Sequence, residues 1–121
     1  MNLCNRQPYQ KQPKAIPSPG YLQAVRQLPC AICEAFGEMQ NSPTTAHHWI
    51  MGRGGNRKTP DQQAIPLCDG HHQGTFDTTK IAIHREPEAW REAYGSDRDY
   101  VSVTQDRIEQ KALINGGKSL P

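Results

Sequence analysis

The sequence segments Cys30-Ala-Ile-Cys33 and Cys68-Asp-Gly-His71-His72 are the strongest indication of the fold, and they bracket the doublet His47-His48. Each segment places two metal-binding side chains on one tight turn, and a tetrahedral Zn²⁺ needs four such ligands. Three cysteines and one histidine complete one set, so we predict a structural zinc site. Its predicted ligands are Cys30, Cys33, Cys68 and His71.

The composition predicts one small soluble domain with a thin core. The chain has 121 residues, 35% of them hydrophobic, with two Trp and two Phe. A structural zinc would supplement such a core, because its binding free energy becomes folding free energy. We find no signal peptide and no apolar run long enough to cross a membrane, and therefore expect a cytoplasmic protein. Two disulfides are the alternative for the four cysteines, but a reducing compartment disfavours them.

Charge is distributed unevenly along the chain, although the net charge is only +2. We predict that residues 1–19 are a flexible, proline-rich and weakly basic tail, that residues 20–115 form the zinc domain, and that residues 116–121 are a flexible C-terminus. DNA binding then has to come from local placement of cations rather than from net charge. A glycine-rich loop at 51–60 supplies three candidates, for which a merely solvated loop is the alternative. They are Arg53, Arg57 and Lys58.

Local sequence signals predict an α+β order of elements. A short helix follows Ser18-Pro19 and ends by Pro29, and a turn-rich loop is expected over 34–43. Residues 44–49 have β-type composition. Since adjacent strand residues point to opposite faces, two functional histidines in this strand imply an irregular backbone at the doublet.

The second half of the chain continues with a strand and further helices. We predict a second strand at 64–67, then a helical turn that carries His71 and His72. A compact helix is expected over 86–95, where Trp90 and Tyr94 belong to the core. A last helix is expected to begin at a capping box of Ser96 with Asp99 and to run to about 114.

The ordered motifs resemble the HNH endonucleases, whose ββα-metal (His-Me finger) core carries one catalytic divalent ion. More narrowly, they resemble the phage recombination-enhancement nucleases, called Ref, and related small prophage HNH proteins. The likeness covers roughly residues 21–114. It rests on the cysteine and histidine motifs above and on the segments Gly52-Arg53-Gly54-Gly55, Lys58-x-Pro60-Asp61, Ile83-His84, Trp90 and Tyr94-Gly95.

This resemblance implies a role for each remaining histidine. His47 and His72 match ligands of the catalytic ion, and His48 matches the general base. Asp61 lies near the position of the asparagine that orients the base. Where some HNH proteins have a further ligand, one helical turn after His72, this chain has Phe76, which cannot bind a metal.

A ligand from farther along the chain could replace the one that Phe76 cannot provide. His84 is our candidate and Asp77 the runner-up, while a capping or core role is the alternative for His84. The doublet His47-His48 could also be additional zinc ligands in a binuclear knuckle.

The resemblance also implies a function, namely metal-dependent hydrolysis of DNA phosphodiester bonds in phage or prophage recombination. We expect structural Zn²⁺ and one catalytic ion, Mg²⁺, Mn²⁺ or Zn²⁺; an imidazole-rich site shifts the preference away from Mg²⁺. The expected partners are DNA and a RecA-type recombinase filament, in a bacterial host or as a phage-encoded protein, with no membrane. The alternative is a catalytically silent zinc-knuckle module that binds DNA or a recombinase.

Overall fold

The computed structural model describes residues 18–52 and 59–114, and this part of the chain has an α+β fold as predicted. Its helices flank a two-stranded antiparallel sheet. In chain order the elements are α1 (Pro19–Arg26), α2 (Ala31–Phe36), β1 (Thr44–His48), β2 (Ala64–Cys68), α3 (Pro87–Tyr94) and α4 (Val101–Ile114).

Helix α1 begins as predicted, with Pro19 in its first turn after Ser18. Proline suits this position because its fixed φ matches the helix and its missing N–H has no helical partner there. The Ser18 side chain makes no capping hydrogen bond. Instead, the backbone N–H of Ser18 donates to Asp61 Oδ2 at 2.8 Å, so the start of α1 contacts a predicted catalytic residue.

The turn-rich loop predicted over 34–43 is partly wrong, because helix α2 continues through Phe36. Cys30 is the N-cap of this helix, and its Sγ accepts a hydrogen bond from the Cys33 N–H at 3.4 Å. The helix ends where Gly37 adopts the left-handed conformation at φ 67°. The CxxC motif is therefore the first turn of a helix.

Strands β1 and β2 pair in an unbroken antiparallel register from Thr44↔Cys68 to His48↔Ala64. The irregular backbone predicted at the histidine doublet is therefore wrong. No bulge is needed, because the normal alternation of side chains along β1 gives the two histidines separate partners. His47 is buried and His48 is half-buried.

The remaining predicted elements are present with small differences. A 3₁₀ turn at Asp69–His71 replaces the expected helical turn, and His72 follows directly after it. The capping box of Ser96 with Asp99 opens another 3₁₀ turn, Asp97–Tyr100, which leads into α4.

The hydrophobic core lies around the sheet and includes all three described cysteines. Trp90 is completely buried, as expected for a core residue, and Tyr94 is half-buried against the same cluster. Cysteine thus fills a large share of a small core. The other buried members are Ile32, Ile65, Leu67 and Ile83.

Several predictions concern residues outside the described ranges. They are the tail up to residue 17 with Cys4, the cations Arg53, Arg57 and Lys58, and residues 116–121. Helix α1 itself starts at Pro19, the last residue of the predicted tail. Among the helices of the described ranges, none has the length and apolar character to cross a membrane.

Candidate functional site

The four predicted zinc ligands come together in one buried cluster. The ligating atoms of Cys30, Cys33, Cys68 and His71 all lie within 4.8 Å of one another. The Cys33 and Cys68 sulfurs are 3.8 Å apart. All three cysteines are free thiols, so the disulfide alternative does not hold for the described part of the chain. This Cys3His cluster could bind a metal such as zinc.

The electrostatics of the three thiols fit a divalent cation. A hydrogen bond from the Cys30 thiol lowers the pKa of Cys68 to about 5, and the same bond, together with burial, raises the pKa of Cys30. Burial, followed by the charge of Cys68, raises the pKa of Cys33 to about 11. One negative charge is therefore stable among three thiols. Three thiolates in this dry site need a compensating cation, and Zn²⁺ prefers sulfur and imidazole ligands.

The surroundings of His71 hold its ring in place. His71 Nδ1 lies 3.3 Å from the Ile81 carbonyl oxygen, and Nε2 lies 3.0 Å from Glu38 Oε1. Glu38 also accepts a hydrogen bond from the Tyr94 hydroxyl at 3.2 Å. Burial, with the nearby Glu38 charge, raises the pKa of Tyr94 to about 12. Both partners of the ring are acceptors, so one of these two contacts has to give way for His71 to offer a lone pair to a metal. The other contact then orients the ring, as is common around metal-binding histidines.

A second cluster joins His47, His72 and His84, whose ligating nitrogens lie within 4.8 Å of one another. The ring centroids are 4.9 Å apart for His47 and His72, and 5.4 Å apart for His47 and His84. His47 and His72 are buried, whereas His84 is exposed, so this three-histidine cluster opens to solvent at one side.

His84, rather than Asp77, occupies the third position of this cluster. Asp77 lies outside it and accepts hydrogen bonds from the backbone N–H and hydroxyl of Thr79. Phe76 is 86% exposed. The exposed His84 ring lies 5.0 Å from that of His72.

Hydrogen bonding fixes the tautomer of His72. The Thr45 hydroxyl donates to the Leu67 carbonyl oxygen at 2.7 Å, so its oxygen can only accept from His72 Nδ1, also at 2.7 Å. The lone pair of His72 is then on Nε2. Burial, followed by the neighbouring His47 and His84, lowers the pKa of His72 to about 3. His72 is therefore neutral at physiological pH, the form that binds metal ions.

His47 is held by a buried carboxylate from the far end of the chain. His47 Nε2 lies 2.8 Å from Asp97 Oδ2, and both side chains are almost completely buried. Burial opposes ionisation of Asp97, but hydrogen bonds from His47 and from two backbone N–H groups outweigh it and lower the Asp97 pKa. The imidazole therefore donates from Nε2 and keeps its lone pair on Nδ1.

The predicted base, His48, and its predicted orienting group, Asp61, are in hydrogen-bond contact. His48 Nε2 lies 2.7 Å from Asp61 Oδ1, with the two side chains 23% and 15% exposed. A carboxylate accepts here, so His48 donates from Nε2 and has its lone pair on Nδ1. His48 is near enough to His72 that the two rings interact electrostatically, which contributes to lowering the His72 pKa. The His48–Asp61 pair and the three-histidine cluster are thus electrostatic neighbours.

Comparison with known proteins assigns the family. A family described as a protein of unknown function, DUF968, matches residues 6–111. The chain belongs to the DUF968 family. Neither the curated proteins nor the solved structures gave a match. The matched residues include the Cys3His cluster, the three-histidine cluster and the His48–Asp61 pair, and the description of the family names no activity.

Sequence reasoning missed three residues that contact the predicted ligands. Asp97 and Glu38 lie in segments where acidic residues usually cap a helix or face solvent. Neither of them belongs to a recognised motif. Thr45 could have been identified from the sequence, because the period-two alternation of a strand puts it on the same face as His47. The three residues hydrogen-bond to His47, His71 and His72, respectively.

Proposed function

We propose that this protein is a metal-dependent HNH endonuclease that hydrolyses DNA phosphodiester bonds. The observation that carries the proposal is the pairing of an oriented, partly exposed imidazole with a separate three-histidine cluster that opens to solvent. A purely structural zinc module requires the Cys3His cluster alone. The additional constellation matches what phosphodiester hydrolysis requires, a base and a cation at neighbouring positions.

His48 is the proposed general base. Its Nε2–H donates to Asp61, which leaves the Nδ1 lone pair to accept a proton from a water molecule. Asp61 would then stabilise the imidazolium that forms. Asp61 is itself held by the Ser18 backbone N–H at 2.8 Å, so the orientation of the base depends on the start of α1. The partial exposure of His48 gives water access to the ring.

The three-histidine cluster would hold the catalytic cation through His47, His72 and His84. When bound, a divalent cation would stabilise negative charge on the phosphate and on the leaving oxygen. The hydrogen bonds to Asp97 and Thr45 keep a lone pair available on His47 and on His72. An all-imidazole set favours Mn²⁺, Zn²⁺ or Ni²⁺ over Mg²⁺.

The substrate and partners are proposed from the resemblance to the Ref nucleases. They are DNA, bound with help from Arg53, Arg57 and Lys58, and a RecA-type recombinase filament. The proposed setting is the cytoplasm of a bacterial host during phage or prophage recombination.

A cleavage assay tests the proposal. Protein with a filled Cys3His site is incubated with supercoiled plasmid, single-stranded DNA and D-loops, with Mg²⁺, Mn²⁺ or Zn²⁺ and with or without recombinase. We expect cleavage, and we expect His48→Ala to slow it by about 10²–10⁴-fold, the usual contribution of a general base. The control Asp106→Ala, at an exposed position on α4, should cleave like the wild type.

Two results would count against this function. Cleavage by His48→Ala at an undiminished rate would remove His48 from the chemistry. DNA binding without cleavage under every condition would favour the silent zinc-knuckle module instead. A melting curve of each variant separates loss of chemistry from loss of fold.

A further inference from the structure

Asp97 is a completely buried carboxylate on the 3₁₀ turn before α4, fifty residues from the histidine that it contacts. Its Oδ2 accepts from His47 Nε2 at 2.8 Å and from the Ile50 N–H at 2.7 Å. Its Oδ1 accepts from the Met51 N–H at 3.2 Å. A buried charge is costly unless it is fully hydrogen-bonded, and these three donors supply that compensation.

We propose that Asp97 is a positioning residue that makes the three-histidine cluster competent to bind a cation, by fixing the tautomer of His47. This inference rests on the proposed cation site. It concerns only how the protein prepares that site.

The tautomer follows from the contact itself. If His47 carried its proton on Nδ1, the Nε2 lone pair would face the Asp97 carboxylate at 2.8 Å in a dry environment. The Nε2–H tautomer replaces that repulsion by a charge-assisted hydrogen bond. It also leaves Nδ1 as the nitrogen with a lone pair, as required of a ligand to a cation shared with His72 and His84.

Asp97 also fixes where His47 lies. The same carboxylate binds the backbone immediately after β1, at Ile50 and Met51, so the end of the strand is anchored to the turn before α4. The negative charge of Asp97 should further raise the affinity of a neutral imidazole site for a cation. The α4 end of the chain therefore contributes to a site whose ligands all lie in the preceding part of the fold.

The isosteric variant Asp97→Asn tests this role. A carboxamide has one acceptor oxygen and one NH2 group, so it cannot accept from His47, Ile50 and Met51 together. The matched control is Asp99→Asn, which removes the same charge from the same turn. Asp99 is exposed and accepts only from the Ser96 N–H in the capping box, at 3.3 Å, among the hydrogen bonds of the described residues.

The measurements use the full chain with one equivalent of Zn²⁺ in the Cys3His cluster. Long-range ¹H–¹⁵N NMR of the histidines reports the His47 tautomer, and calorimetry with further Zn²⁺ reports binding to the three-histidine cluster. We expect the Nε2–H form in the wild type. We expect Asp97→Asn to weaken the second Zn²⁺ by about 10–100-fold, the usual effect of losing a partner of a ligating histidine. Asp99→Asn should bind as the wild type does.

The outcomes separate this inference from the proposed function. An Nδ1–H tautomer of His47 in the wild type overturns the inference even if Asp97→Asn fails to fold. Equal Zn²⁺ affinity in folded Asp97→Asn and in the wild type also overturns it, while the cation site stands. If the wild type binds no second Zn²⁺, the inference and the proposed catalytic cation both fail. Sulfur-to-Co²⁺ charge-transfer absorption of the Cys3His cluster checks the fold of each variant.

Discussion

Replacing a single cysteine of the Cys3His cluster should unfold the whole domain. In Cys33→Ala, the cluster keeps two thiols and one imidazole, which are too few for a closed tetrahedral site. Structural zinc contributes roughly 10 kcal/mol or more of folding free energy in small zinc domains. The total stability of a domain is only about 5–15 kcal/mol, so this loss is comparable to the whole.

The structure makes the loss hard to offset. The described cysteines fill part of the same core as Trp90, whose indole N–H donates to the His71 carbonyl oxygen at 3.1 Å. Loss of the metal would therefore loosen the packing around Trp90 as well. We expect Cys33→Ala to lose its near-ultraviolet circular dichroism and its cooperative melting transition at 25 °C, and to copurify with less zinc.

A control variant and a chelator test whether the loss of stability in Cys33→Ala comes from the loss of the metal. Cys4→Ala makes the same chemical change at a cysteine that belongs to neither the CxxC nor the CxxH pair, and should melt like the wild type. A strong chelator added to the wild type should reproduce the effect of Cys33→Ala. If Cys33→Ala is free of zinc and still melts within a few degrees of the wild type, the cluster is not a structural metal site.

Two further predictions concern folding stability. The pKa of His72 is lowered to about 3 in the folded chain, against about 6.5 for an ordinary histidine. Between these two pH values the unfolded chain binds a proton at His72, whereas the folded chain does not. The contribution of His72 to the free energy of unfolding is therefore present above about pH 6.5 and is lost as the pH falls, by about 2 kcal/mol at pH 5. In denaturant titrations between neutral pH and pH 5, His72→Asn should lose about 2 kcal/mol less stability than the wild type. Unchanged pH dependence would contradict this. Gly74→Ala should cost about 1–3 kcal/mol in such titrations, because Gly74 has φ +69° and an added Cβ would lie 2.8 Å from the Ala82 Cβ. Gly20→Ala, in helix α1 with open space around it, should be neutral or stabilising; equal losses in both variants would refute the steric argument.

Much of the candidate site could be predicted because ligand chemistry is visible in a sequence. A CxxC pair followed by a CxxH pair is a typical arrangement of zinc ligands. The structure brings all four predicted ligands together. Even His84 could be predicted, since Phe76 cannot bind a metal and another histidine was available. Asp61 also reaches His48 as expected, although its catalytic role remains a prediction.

The error at the histidine doublet arose because local patterns do not show how elements pair. A bulge at His47-His48 is required only if both side chains have to point towards the same site. In the structure, a regular strand gives each its own carboxylate, Asp97 for the first and Asp61 for the second. The helix after Cys30 was missed because turn-type composition in the following loop obscured a six-residue element.

The side chains that could bind a metal follow from residue type alone, because cysteine and histidine carry their ligand atoms wherever the chain places them. The nitrogen that each histidine can offer depends on the folded chain. That choice depends on hydrogen bonds from distant segments, such as Asp97 to His47 and Thr45 to His72. A proton position on an imidazole is set by the neighbour that accepts it, and folding alone supplies that neighbour.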